Sequence, residues 1–308
     1  MKKLHPIKDS CLFRVTTKKK LSDIFDLPLP KLNSLKEPGA QYRERAKQVK
    51  EKVRIIHLPL QDRMKTHRKL FYILNQINPP DYLHSGIKNR SFKTNAEAHK
   101  QCKQLYKLDL KDFYPRTTLQ DVSHLFVEQF ECPKDVADYL AKICCFKNQV
   151  PVGSPVSQAV AFFSHKVLFD DLSRMAFSEN LTFTCYVDDL TFSGKHIPSG
   201  FAHKVQRRIE KAGLIWHKER LFLENDPKEV TGVIITAKNE LKPTNKNFRN
   251  ISAVLLELHA ASSISEYESK LNRLNGLLGY RNYVDPSGKQ IATPKAPKQL
   301  KLEVARGS

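Results

Sequence analysis

The sequence predicts an α+β fold, a sheet with its helices gathered on one face. Three observations carry this. Residues 105–110, 181–187 and 190–193 alternate apolar and polar side chains as strands do. An apolar stripe at helical spacing, Val156, Val160, Phe163, Val167 and Leu168, runs through a segment from about Val156 to Phe177. The patterned segments then follow one another as strand, helix, helix, hairpin, helix, strand.

Residues 1–70 are rich in Lys and Arg and hold Pro28, Pro30, Pro38 and Pro59, which reads as a basic region of short elements. A helical pattern over about 62–77 is stopped by Pro79-Pro80. Thr94 and Glu97 have capping-box spacing and predict a helix start at Thr94. In the strand that follows, Leu108 and Leu110 share one face and Lys107 and Asp109 the other, until Pro115 ends it. Thr118-x-x-Asp121 opens the next helix, and Gly153-Ser154-Pro155 is a loop leading into the long apolar helix. Leu181–Val187 and Leu190–Ser193 form a hairpin joined at Asp188-Asp189. A helix near 200–212 ends at Gly213, and strand-like segments follow at 214–223 and 230–236. From about 245 the chain turns helical, with LNRLNGLLGYRNY its clearest amphipathic piece. The basic tail KQIATPKAPKQLKLEVARGS is expected to be flexible, with KQLKLEVA able to form a short helix.

The 308 residues carry 52 Lys and Arg against 32 Asp and Glu, a formal charge of +20. Such an excess points to a polyanion, because each cation that meets a phosphate releases a condensed counterion. None of the six cysteines forms a C-x-x-C pair, which excludes zinc-ribbon and thioredoxin chemistry and fits a reducing cytosol. No apolar core of a signal peptide follows the charged start, and no stretch approaches a membrane span. A soluble cytoplasmic protein with no membrane partner is expected.

Two carboxylates at a hairpin turn are by themselves often only turn residues. Asp109, at the end of a separate strand, changes the reading. Two strands of one sheet bring Asp109 beside Asp188 and Asp189, and such a cluster repels itself unless cations neutralise it. Mg²⁺ takes a few carboxylate oxygens and completes its shell with water and phosphates. Two such ions are suited to phosphoryl transfer, which needs no His or Cys nucleophile.

At this point KLDLKDFYP (107–115) resembles motif A of reverse transcriptases. YVDD (186–189) resembles their Y-x-D-D box, and VPVGSPVSQ (150–158) their motif B, in matching order. Asn95-Ala96-x-x-His99 and Val230-Thr231-Gly232 resemble the N-A-x-x-H and V-T-G signatures of retron reverse transcriptases. Read without the family, the first is a capped helix start with a surface His99, and the second a Gly ending a strand. The resemblance spans roughly residues 50–280. It implies a right-hand polymerase: N-terminal region and fingers over 1–104, an antiparallel palm over 105–236, and a small helical thumb with a basic tail over 237–308. It implies two Mg²⁺ held by Asp109, Asp188, Asp189 and the Leu110 carbonyl, with dNTPs as substrates. It also implies a cognate structured RNA of the msr-msd type, partly copied into a branched RNA–DNA product (msDNA). A separate effector protein and a role in antiphage defence come with it. Asn95, His99, Val230, Thr231 and Gly232 are the implied RNA contacts.

By the same resemblance, Tyr114 sits under the sugar of the incoming nucleotide, though it also reads as a core aromatic beside Phe113. Arg54, and less directly Lys52, meets the triphosphate. Gly153 is expected to let backbone approach the nucleotide or template. Val152 stands where motif B usually has Gln. In GLIWHKERLF, His217 replaces the usual Asn and Arg220 the usual Lys, so Lys218, His217 or no side chain at all is left to donate a proton to pyrophosphate. Gly276 and Gly279 fit either close approach to an RNA–DNA backbone or tight helix packing. The competing functions are a group II intron-like reverse transcriptase and a catalytically idle RNA-binding module.

Overall fold

The computed structural model describes residues 4–37, 41–49, 52–288 and 291, so the expected flexible tail lies outside the described residues. Helix α1 (Lys18–Phe25) starts at Thr17, whose hydroxyl accepts the Lys20 amide, and α2 (Leu29–Ser34) starts with proline in its first turn. Strands β1 (Tyr42–Val49) and β2 (Lys52–Pro59) form an antiparallel hairpin that the basic composition of this region does not reveal. Helix α3 (Gln61–Leu74) follows. Its Arg63 is 1% exposed and donates to the carbonyls of Leu35 and Ile143. Leu35 caps the C-terminus of α2, where a cation meets carbonyls that the helix leaves unbonded.

Helix α4 (Phe92–Glu97) begins three residues before the expected position. Ser91 is its cap, and Ser91 and Thr94 form the capping box. The Thr94/Glu97 reading therefore fails: Thr94 is the helix's third residue, and Glu97 ends it. Strand β3 (Gln104–Leu110) keeps the expected alternation, with Leu108 and Leu110 buried and Lys107 and Asp109 partly exposed. Helices α5 (Phe113–Arg116), α6 (Leu119–His124) and α7 (Lys134–Cys144) come next, and Thr118 and Asp121 make the expected capping box on α6. The single helix expected over 156–177 is two, α8 (Ser157–Ser164) and α9 (Lys166–Ser178), broken at His165. His165 is buried and its Nε2 bonds to the Thr117 hydroxyl, a tertiary contact that no proline or glycine announces. Past the break the stripe loses phase, and Val167 is 70% exposed.

Strands β4 (Thr182–Tyr186) and β5 (Asp189–Gly194), helix α10 (Phe201–Lys211) and strand β6 (Trp216–Phe222) complete the main sheet, whose order is β4-β5-β3-β6, all antiparallel. The 82–85 segment closes the free side of β4: the Cys185 amide donates to the Tyr82 carbonyl at 2.7 Å, and the His84 amide to the Cys185 carbonyl at 2.9 Å. That removes an open strand edge. Phe183, Phe192 and Phe201 pack in succession, with ring centroids 4.8 and 5.2 Å apart, and tie the sheet to α10.

Residues 230–236 are not one strand. Strands β7 (Lys228–Val230) and β8 (Val233–Ile235) form a hairpin turning at Thr231-Gly232, and β9 (Leu241–Pro243) adds a third strand. Helices α11 (Asn245–His259) and α12 (Ile264–Val284) pack on each other. A Cβ added at Gly276 or Gly279 would meet nothing within 4 Å, so packing among the described residues does not explain these glycines.

Candidate active site

β4 and β5 are joined through Val187 and Asp188, because Tyr186 already pairs with Asp189. Val187 has φ 60°, a conformation that costs a β-branched residue free energy. Its amide is held by the Ser85 hydroxyl at 2.9 Å, so the closing segment also fixes the turn. On the other side, Asp189 is paired with Asp109, and the Leu110 amide donates to the Asp188 carbonyl at 2.8 Å. The backbone thus brings Asp109, Leu110, Asp188 and Asp189 to one end of the sheet.

Electrostatics there are unfavourable for three bare carboxylates. Burial, then Asp188 and Asp109, push the Asp189 carboxyl up to about 6. Burial and then Asp109 raise Asp188, against the pull of Lys218 and Arg54. Asp109 is met by His217 Nε2 at 2.8 Å and Lys218 Nζ at 3.2 Å. Both reach it because β6 bulges: Lys107 faces Arg220, but Asp109 faces His217, and Lys218 has φ 52°. Arg220 lies two positions further along, with its guanidinium 4.3 Å from the Phe222 ring centroid, away from the carboxylates. Hard carboxylate oxygens whose charges oppose each other suit a divalent cation. As placed, with Asp109 turned to His217 and Lys218, no three acidic, His or Cys side chains among the described residues form an ion-sized cage.

Beside this end lies a cleft lined by Met64, Arg68, Tyr114, Gly153, Ser154, Pro155, Ser157 and Gln158. Tyr114 lines this cleft and also packs on the main core beside Phe113, and burial followed by the Asp188 charge pushes its phenol up to about 12. Gly153 has φ +108°, and a Cβ there would overlap the Ile56 methyl Cγ2. The close approach it permits is therefore that of β2, not only of a ligand. The His57 amide also donates to the Val152 carbonyl at 2.7 Å, so Val152 serves the hairpin through its backbone. His67 of α3 bonds to the Ser154 hydroxyl at 2.6 Å and to the Ile143 carbonyl at 2.9 Å. Since a carbonyl only accepts, Nε2 carries the proton and Ser154 donates to Nδ1.

Arg54, Ile56 and Leu58 share the hairpin face that meets Gly153. Their cross-strand partners are Lys47, Arg45 and Arg43, all exposed. This puts four cations on the cleft side, of which only Arg54 is expected from sequence; the other three become legible once the strand register is known. The Lys52 side chain lies outside the described residues.

The two retron-like signatures meet, but mostly inside the protein. Asn95, His99 and Val230 are 0–1% exposed. His99 is held by Ser193 at 2.6 Å and Thr184 at 2.8 Å, and burial pushes its imidazole down to about 3. The histidine expected at the surface is a neutral strut between the end of α4 and the sheet, and the side chains of Asn95, His99 and Val230 face inward. Thr231 and Gly232 lie at the turn with partial exposure, and Thr231 Oγ1 donates to the Phe92 carbonyl at 2.9 Å.

Residues 35–235 match the family described as reverse transcriptase (RNA-dependent DNA polymerase). Among curated proteins the chain is 24% identical over 220 residues to Retron Ec86 reverse transcriptase of Escherichia coli, covering 69% of this chain and 66% of that protein. It is 26% identical over 274 residues to Retron Mx65 reverse transcriptase of Myxococcus xanthus, covering 80% and 62%. These two matches take in slightly less than two thirds of the relatives' own length. The fold is similar to the solved apo telomerase of Candida tropicalis, with a TM-score of 0.52 at 12% identity over 78% of this chain and 53% of that one. No helix among the described residues is long and apolar enough to cross a membrane.

Proposed function

The chain belongs to the reverse transcriptase family of RNA-dependent DNA polymerases, and from that premise we propose that it copies RNA into DNA as a retron-type enzyme. The observation that carries this reading is the convergence of Asp109, Asp188 and Asp189 at one end of the sheet beside a cleft faced by cations.

In this reading Asp109, Asp188, Asp189 and the Leu110 carbonyl would hold two Mg²⁺, which would lower the pKa of the attacking hydroxyl and offset the phosphate charge. The primer hydroxyl forms a bond to the α-phosphorus of a dNTP, and the bond to pyrophosphate breaks. Arg54, with Arg45 and Lys47 on the same face, holds the triphosphate, the guanidinium binding two oxygens at once. The Tyr114 ring fills the space beneath the sugar and excludes a 2′-hydroxyl. Lys218 stands at Asp109 and can give a proton to departing pyrophosphate, whereas Arg220 lies too far along β6.

The finer reading keeps fingers over 1–104, palm over 105–236 and thumb beyond. A structured msr-msd RNA is the template, a 2′-hydroxyl within it the primer, and branched msDNA the product. The retron names of the relatives support the retron assignment; a cytoplasmic antiphage role beside a separate effector protein is what the resemblance of the signature motifs implies.

Primer extension on an RNA template with Mg²⁺ and dNTPs tests the core of it. Asp188→Asn should lower synthesis by about a thousandfold or more, the scale for a group that acts in the transition state, with RNA affinity unchanged. Equal synthesis by wild type and variant would overturn the two-metal assignment. Absence of extension by both, with RNA still bound, would favour an RNA-binding module.

A further inference from the structure

The pair α11 and α12 has a core of its own, built from Ile251, Val254, Leu258, Tyr267, Leu274 and Leu278. None of these belongs to the main core or to the β7–β9 core. What joins the helix pair to the body is the last turn and a half of α12. Val284 enters the second core together with Ala96 of α4, Leu105 of β3, Phe222 of β6 and Val230 and Val233 of the β7–β8 hairpin. Tyr280 packs on the same core, stacks on Phe92 with ring centroids 5.4 Å apart, and donates its hydroxyl to the Gly232 carbonyl. Tyr283 meets Phe92 edge-on at 5.5 Å, shares a hydrogen bond with Ser91 Oγ at 2.8 Å, and its carbonyl accepts from Lys93 Nζ at 2.9 Å. Asp285, just beyond the helix, pairs with Lys242 of β9 at 3.0 Å.

The partners of α12 in the body are therefore β9, the start of α4 and the turn of the β7–β8 hairpin. The last two are themselves bonded: Thr231 Oγ1 donates to the Phe92 carbonyl, and Asn95 Nδ2 reaches Thr231 Oγ1 at 3.4 Å. Thr231 and Gly232 have φ 45° and 82°, and that turn presents the Gly232 carbonyl to Tyr280. Two signature stretches, with Asn95 and Thr231 136 residues apart, thus form one socket.

We propose that Asn95-x-x-x-His99 with Val230-Thr231-Gly232 is an intramolecular latch, and that Tyr280 and Tyr283 are the positioning residues that lock the thumb helices to the palm through it. The latch fixes the angle at which α12 presents its open face, on which Asn272, Gly276 and Gly279 lie one above another. Its consequence, which rests on the polymerase reading, is grip on the primer–template duplex: the latch sets how many nucleotides are added per binding event, not the rate of the chemical step.

The test uses the full chain with Tyr280→Phe and Tyr283→Phe, singly and together, each checked for an unchanged melting profile of the main body. Hydrogen exchange is the first readout. Losing one neutral hydrogen bond should speed exchange of the α12 amides roughly fivefold, and both together more, with β3 and β5 unchanged. The second readout is extension of a DNA primer on a heteropolymeric RNA with a heparin trap. Product length per binding event should shorten several-fold while first-nucleotide addition keeps its rate. Unchanged α12 exchange in the double variant would overturn the latch. So would shortened products accompanied by an equal loss in first-nucleotide addition, which would place the tyrosines in the reaction itself. A wild type that makes no DNA would overturn the polymerase reading, with the exchange readout still deciding the latch.

Discussion

The β4-β5-β3-β6 sheet and the β1–β2 hairpin face the same cleft and are built in opposite ways. The sheet has four strands, a closed outer side at β4 and aromatic packing beneath it; its functional groups are acidic, partly buried and placed by backbone hydrogen bonds. The hairpin has two strands, exposed side chains on most of its length and a row of cations. Two strands alone are marginally stable in water, so the hairpin depends on its seat. That seat is narrow: Ile56 against Gly153, the His57 amide on the Val152 carbonyl, and Tyr42 over Arg63 and beside Phe146. The contrast separates two demands on a phosphoryl-transfer site. Carboxylates must be held rigidly despite their repulsion, whereas the cations that receive a triphosphate can ride on an arm and meet those charges when substrate bridges them.

Of the changes that probe this contrast, breaking the seat should have the largest effect. Gly153→Ala puts a Cβ into Ile56 at a φ that L side chains rarely adopt. It should destabilise the protein by about 1–3 kcal/mol and raise the dNTP KM at least about tenfold, as overpacking tilts the hairpin. A melting curve and steady-state kinetics check it, and an unchanged KM would mean the hairpin is not seated this way.

Acid probes both halves through buried histidines. Burial pushes His67, under the hairpin seat, down to about 4 and His99, under the sheet, to about 3. Arg63 and His84 add to the respective shifts. A base whose folded pKa is depressed binds fewer protons folded than unfolded. Its stabilising share is full above about pH 6.5 and is lost as pH falls toward 4, at about 1.4 kcal/mol per unit for each group. Denaturant unfolding at pH 7.5 and 5.5 should show this loss, and His67→Asn should flatten it only in part, because burial also pushes His84 down to about 4 and lowers His165. Equal slopes would show that His67 is not held neutral.

Arg54→Ala tests the arm without touching its seat. The dNTP KM should rise about tenfold, near the worth of one charge-assisted contact, with the melting temperature unchanged. Arg54→Lys should fall between the two. The smallest expected effect lies at the rigid end. Val187→Asn, which tolerates positive φ, should raise stability by about 1 kcal/mol. A loss of stability would mean that Val187 packing outweighs its backbone strain.

The same contrast explains what could be read in the sequence. β3, β4 and β5 alternate apolar with polar residues in the sequence, the second face of β4 and β5 burying small hydroxyl side chains (Thr184, Thr191, Ser193), so their patterns and the three aspartates were visible. The hairpin was not, because both its faces are largely wet: YRERAKQV and KVRIIHLP show charge rather than a buried face, and Arg43, Arg45 and Lys47 look like any surface cations. The break at His165 depends on a tertiary bond to Thr117. The bulge at Lys218 depends on pairing with β3, so the meeting of His217 and Lys218 at Asp109 has no local signal. Asn95 and His99 were visible as a signature, but a signature does not say which way side chains face, and these face inward.

Strand β3 occupies an inner position in the sheet, and this bears on how the chain is made. Its partners are β5, which begins with Asp189, and β6, which ends with Phe222. As the polypeptide leaves the ribosome, β3 therefore waits while some 80 further residues emerge before Asp109 can pair with Asp189 (189 − 109 = 80). Until then an apolar strand stands with both sides unpaired, a state prone to mispairing and suited to chaperone capture. Nascent chains ending before β5 should bind a holdase and resist refolding after release, whereas chains extended past β6 should fold.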